Sequence, residues 1–345
     1  MTTNGGEHTD DLVTVIMPAR NEEQAIGAAL DSVLGQTYRN LQFVVIDGGS
    51  TDRTRALIEE RQAQDPRVEI LTNPLPSIPV SLNLGLAAAR GRWLVRVDAH
   101  STVPPTYVAD LVGRLQEGTW AGVGGIKPGV GVTPAGRAIA AAMGSRFGVG
   151  NSLYHYATTE VEVDHLPFGA YPVDLLREVG GWDEDLVANE DYELDYRLRR
   201  RGGRLLLDPR VVISWHCRQS VPDLYRQYVR YGKGKADVAL LHPTSLSARH
   251  VVAPALVAWL GMAAVRAPRH PGQALLMVAP YAAGVTVATR QTRGTLEHDA
   301  DWVHLPGAFA AMHVGWGYGF WAGLARGIRS RLFTKSGDEP SPPSP

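Results

Sequence analysis

The hydrophobic pattern of the first hundred residues switches repeatedly between a strand-like and a helix-like period. Residues 12–17 form a β-branched apolar run closed by Pro18. After it Ile26, Ala29, Leu30, Val33 and Leu34 recur at helical spacing, with Asn21 as the expected cap of a helix reaching about Gln36. Residues 43–46 predict a short buried strand ending at Asp47-Gly48-Gly49-Ser50-Thr51-Asp52, where Thr51 or Asp52 caps a second helix carrying Ala56, Leu57 and Ile58. Residues 68–71 predict a third strand, 80–89 a third helix, and 93–97 a fourth strand that stops at Asp98-Ala99-His100. Strands separated by helices predict an α/β fold, a mostly parallel sheet flanked by helices on both faces. In such sheets ligands bind beyond the carboxyl ends of the strands, where Asp47 and Asp98 both stand.

The pattern then loosens. Residues 129–150 are rich in Gly and Ala with little apolar periodicity and predict a mobile loop or lid. Order resumes with a loop at 167–170, a helix from Asp174, Gly180-Gly181-Trp182 and a charged helix over 189–201. Strands are expected at 205–207 and 211–215 and a helix over 221–235. Beyond residue 240 the composition shifts, and the stretches 251–265, 271–289 and 305–325 carry no Asp, Glu, Lys or Arg. The first is short for a bilayer, the second holds Gln273 and two prolines, and the third is long enough but Gly-rich with His313. Arg249, Arg266, Arg269, Arg290, Arg326 and Arg329 flank these stretches and suit an anionic cytoplasmic leaflet. A buried helical subdomain and a membrane-embedded region are both open, and the second is favoured. The expected organisation is therefore a catalytic domain over 11–238 and an apolar, membrane-associated helical region over 239–334. Disordered tails at 1–10 and 335–345 complete it.

Composition narrows the function classes. With 34 basic and 35 acidic residues the net charge is −1, which gives no reason to expect a nucleic acid partner. One cysteine, Cys217, excludes an intrachain disulfide framework and a four-cysteine zinc site. The polar, acidic N-terminus lacks the basic and apolar regions of a signal peptide, so the catalytic region is expected on the cytoplasmic side.

The candidate chemistry sits at the ends of the apolar runs. Asp98 and His100 alternate across one residue and can face one cleft as ligands of a divalent ion, or be polar residues of a turn. Arg96 shares the strand face of Asp98 and can pair with it instead. Glu190, Asp191 and Glu193 open a helix, where they either complement its dipole or supply a general base. His216 follows an apolar strand, and Gln227, Arg230 and Tyr231 lie within about one helical turn, a setting for clamping a diphosphate or stacking on a sugar. No G-x-G-x-x-G follows the first strand, and Gly122-Val123-Gly124-Gly125 is a weak substitute, so dinucleotide binding is disfavoured.

Taken in order, six segments resemble the family 2 glycosyltransferases of GT-A fold, especially exopolysaccharide enzymes of the succinoglycan type. They are Val15-Ile16-Met17-Pro18-Ala19-Arg20-Asn21-Glu22, the segment Asp47–Asp52, Asp98-Ala99-His100, Gly180-Gly181-Trp182-Asp183, Asn189-Glu190-Asp191, and Gln227 with Arg230-Tyr231. The resemblance covers about residues 12–235. It implies that Pro18, Arg20 and Glu22 line a nucleoside pocket, that Asp47 accepts from the base, and that Asp98 contacts ribose or metal. It makes Asp191 the catalytic base of an inverting transfer. Glu190, Trp182, Gln227 and Tyr231 then fall on the acceptor or diphosphate side, and Arg230 beside the diphosphate. His100 replaces the second Asp of the family's Asp-x-Asp, which leaves either an Asp98/His100 metal site joined by His216 or a lesser dependence on metal. Imidazole favours Mn²⁺ over Mg²⁺. Tyr231 stands where processive members have Trp. The implied donor is a nucleotide-diphosphate sugar, with UDP favoured, and the implied acceptor a polyprenyl-linked or glycan hydroxyl at the cytoplasmic face of the membrane. A non-catalytic nucleotide-sugar-binding component and a sugar-nucleotide pyrophosphorylase are the rival readings.

Overall fold

The structure is a computed structural model and describes residues 11–75 and 77–334; the two tails expected above lie outside the described residues. In chain order the first stretch contains β1 (Val13–Ala19), α1 (Ile26–Leu34), β2 (Leu41–Asp47), α2 (Thr54–Gln64), β3 (Val68–Thr72), α3 (Ile78–Ala88), β4 (Trp93–Arg96), β5 (Ser101–Thr102), α4 (Tyr107–Gln116) and β6 (Gly122–Ile126). Next come β7 (Gly129–Val130), α5 (Pro134–Met143) and α6 (Arg146–Val149). The chain continues with β8 (Val161–Val163), β9 (Ala170–Pro172), α7 (Val173–Val179), α8 (Glu190–Arg200), β10 (Leu205–Val212) and β11 (Ser214–His216). It ends with α9 (Val221–Leu241), α10 (Arg249–Arg266), α11 (Pro271–Arg293) and α12 (Leu305–Thr334).

These elements form two compact units. The first holds described residues 11–128 and 153–216, the second 129–152 and 217–334. The division therefore falls at 216/217 and takes in 129–152, where the composition had suggested 238/239. The physical reason is that α9 packs along α12 and belongs with the C-terminal helices.

The first unit is built on an eight-stranded sheet of order β3-β2-β1-β4-β9-β6-β10-β8. β3, β2, β1 and β4 run parallel. β9 lies antiparallel between β4 and β6, so β4 and β6 point the same way. β10 runs parallel to β6, and β8 closes the edge antiparallel. β2 is buried at every position and β1 at all but one, because helices cover both faces of the sheet. One face packs on Ile26, Leu30, Val108 and Leu111, the other on Leu82, Leu86, Leu194 and Leu198. Each such side chain contributes about 1.5–3 kcal/mol of burial free energy. The carboxyl ends of β1, β2, β4 and β6 consequently share one edge.

Several local expectations are corrected. Asn21 does not cap α1, which starts at Ile26; it has φ 55° and its side-chain oxygen accepts from the Thr51 backbone N–H at 2.8 Å. The second helix starts at Thr54, although Asp52 does accept from its N–H at 3.0 Å. Residues 129–150 are not a loop without regular structure. They form β7, α5 and α6, with the Thr133 hydroxyl capping α5 at Gly136 and Ser145 capping α6 at Gly148. The buried face of α5, Ala138, Ile139, Ala142 and Met143, is made largely of alanine, which is why its periodicity is faint in the sequence.

In the second unit Gly315, Gly319, Gly323 and Gly327 recur every fourth residue along α12 and let it approach α9. A Cβ at Gly319 would stand 2.2 Å from the Val229 carbonyl oxygen, and one at Gly323 2.9 Å from that of Lys233. This stripe explains the Gly-rich third apolar stretch as a helix-packing surface. By length and composition α11 is the one helix among the described residues able to cross a membrane, and most of its apolar stretch is not buried. It is the stretch whose Gln273 and two prolines counted against it in the sequence. Pro271 opens the helix, where no N–H is needed, and Pro280 is accommodated inside it.

Candidate functional site

Two loops at the carboxyl ends of β1 and β2 are tied to each other. The Asn21 N–H donates to the Ser50 hydroxyl at 3.1 Å, the Glu22 N–H to the Thr54 hydroxyl at 2.7 Å, and the Arg53 N–H to the Glu23 carboxylate at 3.1 Å. Gly49, at φ 73°, supplies the left-handed turn this crossing needs. Asp47 is buried, and its Oδ1 accepts from the Ser50 N–H and hydroxyl at 3.1 and 2.7 Å. Its Oδ2 lies 3.9 Å from Arg55. Pro18 and Glu22 are half-buried beside this loop pair and Arg20 is exposed.

The centre of the unit is an ion cluster around Arg96, which is 3% exposed. Its guanidinium donates to Asp98 Oδ1 at 2.9 Å, to Glu190 Oε1 at 3.3 Å and to Asp191 Oδ1 and Oδ2 at 2.7 and 2.6 Å. The Trp182 indole N–H donates to Asp191 Oδ1 at 2.9 Å. Burial opposes a charge on Arg96, but Asp191, Asp98 and Glu190 outweigh it and hold the guanidinium protonated. Burial also opposes the Asp98 charge, while Arg96, His100 and Lys127 outweigh it and keep the carboxyl below its usual range. Glu190 goes the other way. Burial and then neighbouring Asp191 push its pKa up, and Arg96 offsets them only in part.

His100 Nδ1 lies 3.3 Å from Glu22 Oε1, and this bond, against burial and with help from Asp98, raises the imidazole pKa. β5 pairs antiparallel with β11, Ser214 opposite Thr102 and Trp215 opposite Ser101. One further step of that register sets His216 opposite His100. The expected ion shared by Asp98, His100 and His216 rests on the sequence resemblance. The side chains as they stand are engaged elsewhere, Asp98 with Arg96 and His100 with Glu22, and no cluster of three His, Cys, Asp or Glu ligands forms among the described residues.

Sequence reasoning missed two members of this constellation. Arg96 was noted only as a partner for Asp98; its reach to Glu190 and Asp191 spans some 95 positions. Lys127 was not singled out at all. It directly follows β6, and its ammonium stands 4.3 Å from the Phe168 ring centroid and 4.4 Å from that of Trp215. Burial lowers its pKa to about 8, against the pull of Asp98. Phe168 holds φ 54°, a costly conformation for an aromatic residue. Together with Asn21 and Asn189 it makes up the non-glycine residues of positive φ among those described, and all three border this region. The buried Trp215 indole N–H has no acceptor among the described residues, a cost of about 1–3 kcal/mol.

The remaining expected residues lie in the second unit. On α9 the Gln227 amide donates to the Tyr231 hydroxyl at 2.9 Å, and the Arg230 guanidinium lies 5.9 Å from the Tyr231 ring centroid. Their expected contacts with donor or acceptor rest on the sequence resemblance.

Comparison with known proteins gives this geometry a context. Residues 14–177 match the profile described as glycosyl transferase family 2. The chain is 30% identical over 333 residues to the succinoglycan biosynthesis protein ExoA of Rhizobium meliloti (strain 1021), covering 92% of this chain and 96% of that one. It is 27% identical over 235 residues to a dolichyl N-acetyl-alpha-D-glucosaminyl phosphate 3-beta-D-2,3-diacetamido-2,3-dideoxy-beta-D-glucuronosyltransferase of Methanococcus voltae, covering 65% and 73%. Its fold is similar to that of the mannosyltransferase PcManGT from Pyrobaculum calidifontis, solved with GDP-Man and Mn²⁺, with a TM-score of 0.58 at 19% identity over 89% and 87% of the two chains. The GT-A architecture expected from the sequence is the one observed, and the chain belongs to glycosyl transferase family 2.

Proposed function

We propose that this glycosyltransferase moves a hexosyl group, with inversion, from a nucleotide-diphosphate sugar to a hydroxyl of a lipid-linked or polysaccharide acceptor in cell-envelope or exopolysaccharide synthesis. The observation that carries the reading is the Asp191 carboxylate, fixed at the carboxyl edge of the sheet by Arg96 and Trp182. Oδ1 accepts two bonds and Oδ2 one, so Oδ2 keeps lone-pair capacity for a proton. In the reaction the acceptor oxygen attacks the anomeric carbon and Asp191 takes its proton. The bond from that carbon to the diphosphate breaks, and the electron pair leaves with the nucleoside diphosphate. Asp47, Pro18, Arg20 and Glu22 bind the nucleoside in this scheme, and Glu190 and Trp182 face the acceptor. A divalent ion at Asp98, His100 and His216 would offset charge on the diphosphate.

The relatives support the substrate classes by their names, one for succinoglycan biosynthesis and one for transfer to a dolichyl-linked sugar. Uridine is the favoured base, although PcManGT was solved with a guanosine donor. The test is a thermal-shift screen of UDP- and GDP-sugars against the full chain, with and without Mn²⁺. At least one nucleotide sugar is expected to raise the melting temperature, because only native-state binding does so. A flat response across the screen would sink the reading.

We also propose that α10 and α11 contact the membrane. Val252, Val265, Leu275 and Leu276 are each at least two-thirds exposed on these helices, and Arg266, Arg269 and Arg290 accompany them. The expected result is that the protein sediments with the membrane fraction and is released by detergent. Full recovery in the detergent-free supernatant would count against it.

A further inference from the structure

Resting on the nucleotide-sugar reading above, we infer that the Lys127 ammonium, held between the Phe168 and Trp215 rings, binds the diphosphate of the donor. Its place in the fold is the first reason. Lys127 follows β6, whose carboxyl end lies on the same edge of the sheet as that of β4, two residues before Asp98. Asp98 is also the carboxylate that attracts its charge most strongly.

The second reason is charge. A diphosphate approaching Asp98 meets a cluster that already contains Asp98, Glu190 and Asp191. Arg96 is committed to those three, with donor–acceptor distances of 2.6–3.3 Å, so its positive charge is spent inside the cluster. The Lys127 amine has two aromatic faces, at 4.3 and 4.4 Å, and no hydrogen-bond or ion-pair partner among the described residues. Its three N–H donors remain for a ligand. Quadrupole attraction from two rings holds a cation in place without using any of those donors.

The third reason is the structure devoted to that cage. Phe168 is kept at φ 54°, with its ring 5.3 Å from the Arg96 guanidinium carbon as well as against Lys127. Trp215 is buried with its indole N–H unmet. Both serve to present a lysine as a positioned point charge, the kind of group that suits phosphate oxygens. A lysine whose pKa burial has brought to about 8 also gains its full charge when a diphosphate arrives beside it.

The test compares the wild-type chain with Lys127→Met, which keeps the stem between the two rings, and Lys127→Arg, which keeps the charge. Affinities for UDP, GDP, uridine and guanosine are measured by calorimetry with Mn²⁺ present, and thermal melts report folding. Lys127→Met is expected to lose about 10- to 100-fold in nucleoside diphosphate affinity, the loss of one charge-assisted hydrogen bond, with less than a threefold change for the nucleoside. Lys127→Arg is expected to recover most of the loss. Equal weakening toward diphosphate and nucleoside would make Lys127 a prop for the pocket's shape and overturn the inference. Unchanged diphosphate affinity in Lys127→Met would overturn it too. If wild-type protein binds neither UDP nor GDP, the nucleotide-sugar reading itself falls and takes the inference with it.

Discussion

Arg96→Met is expected to lower the melting temperature of the protein by roughly 10 °C at neutral pH. The change leaves Asp98, Glu190 and Asp191 together without the guanidinium that each now contacts. Removing one partner of a buried ion pair costs about 3–5 kcal/mol, because the remaining charge is left uncompensated. For a unit of this size about 1 kcal/mol corresponds to 2–4 °C. The loss should depend on pH in a definite sense. Asp98 has its pKa depressed in the folded protein, so its contribution is present above the unfolded carboxylate value and fades as pH falls through the folded one. The difference between wild type and variant should therefore narrow on acidification below about pH 4, as the abandoned carboxylates take up protons. Scanning calorimetry at pH 7 and at about pH 3 checks both statements. A variant melting within 2 °C of wild type at pH 7 would show that the cluster does not hold this region together.

Asp191→Asn is expected to reduce transfer by at least about 10²–10⁴-fold, the usual contribution of a positioned base. Nucleotide affinity should stay within about threefold of wild type, since the scheme gives Asp191 no contact with the donor's base or diphosphate. Asparagine keeps the size of the side chain and an oxygen for the Trp182 indole to bond, so the local packing survives while the proton acceptor is lost. Single-turnover transfer assays and calorimetry on the same preparation separate the two quantities. Turnover close to wild type would remove Asp191 from the mechanism.

What could be read in the sequence was set by distance along the chain and by side-chain size. Asp47 and Asp98 stood out because each ends a run of residues too apolar to be anything but a buried strand, and Arg96 pairs with Asp98 two residues away, as strand alternation allows. The contact between Arg96 and Asp191 has no local trace, since nothing in either segment refers to the other. β6 escaped notice because three of its five residues are glycine. Those glycines are required by neighbours: a Cβ at Gly122 would meet the Tyr171 ring at 2.6 Å, and one at Gly125 the Val211 carbonyl oxygen at 2.1 Å. With the strand hidden, Lys127 at its end was hidden too. The alanine face of α5 and the glycine stripe of α12 erased periodicity in the same way, through residues chosen for how closely they let another helix or strand approach.

The division of the second unit into two separated stretches has a consequence for biosynthesis. α5 leaves the ribosome long before the segments that shelter it, α12 and the short turn at Asp299–His304. The buried Asp301 carboxylate that anchors Arg137 of α5 at 2.7 Å is made 164 positions later. The nascent chain must therefore carry an unsheltered alanine-rich helix while the whole of α8, β10 and β11 is still being made. Contacts so far apart in sequence form late and slowly. A ribosome that stalls before α12 leaves α5 and the glycine-facing side of α9 open to other apolar surfaces, so synthesis of α12 closes the period in which those surfaces invite aggregation.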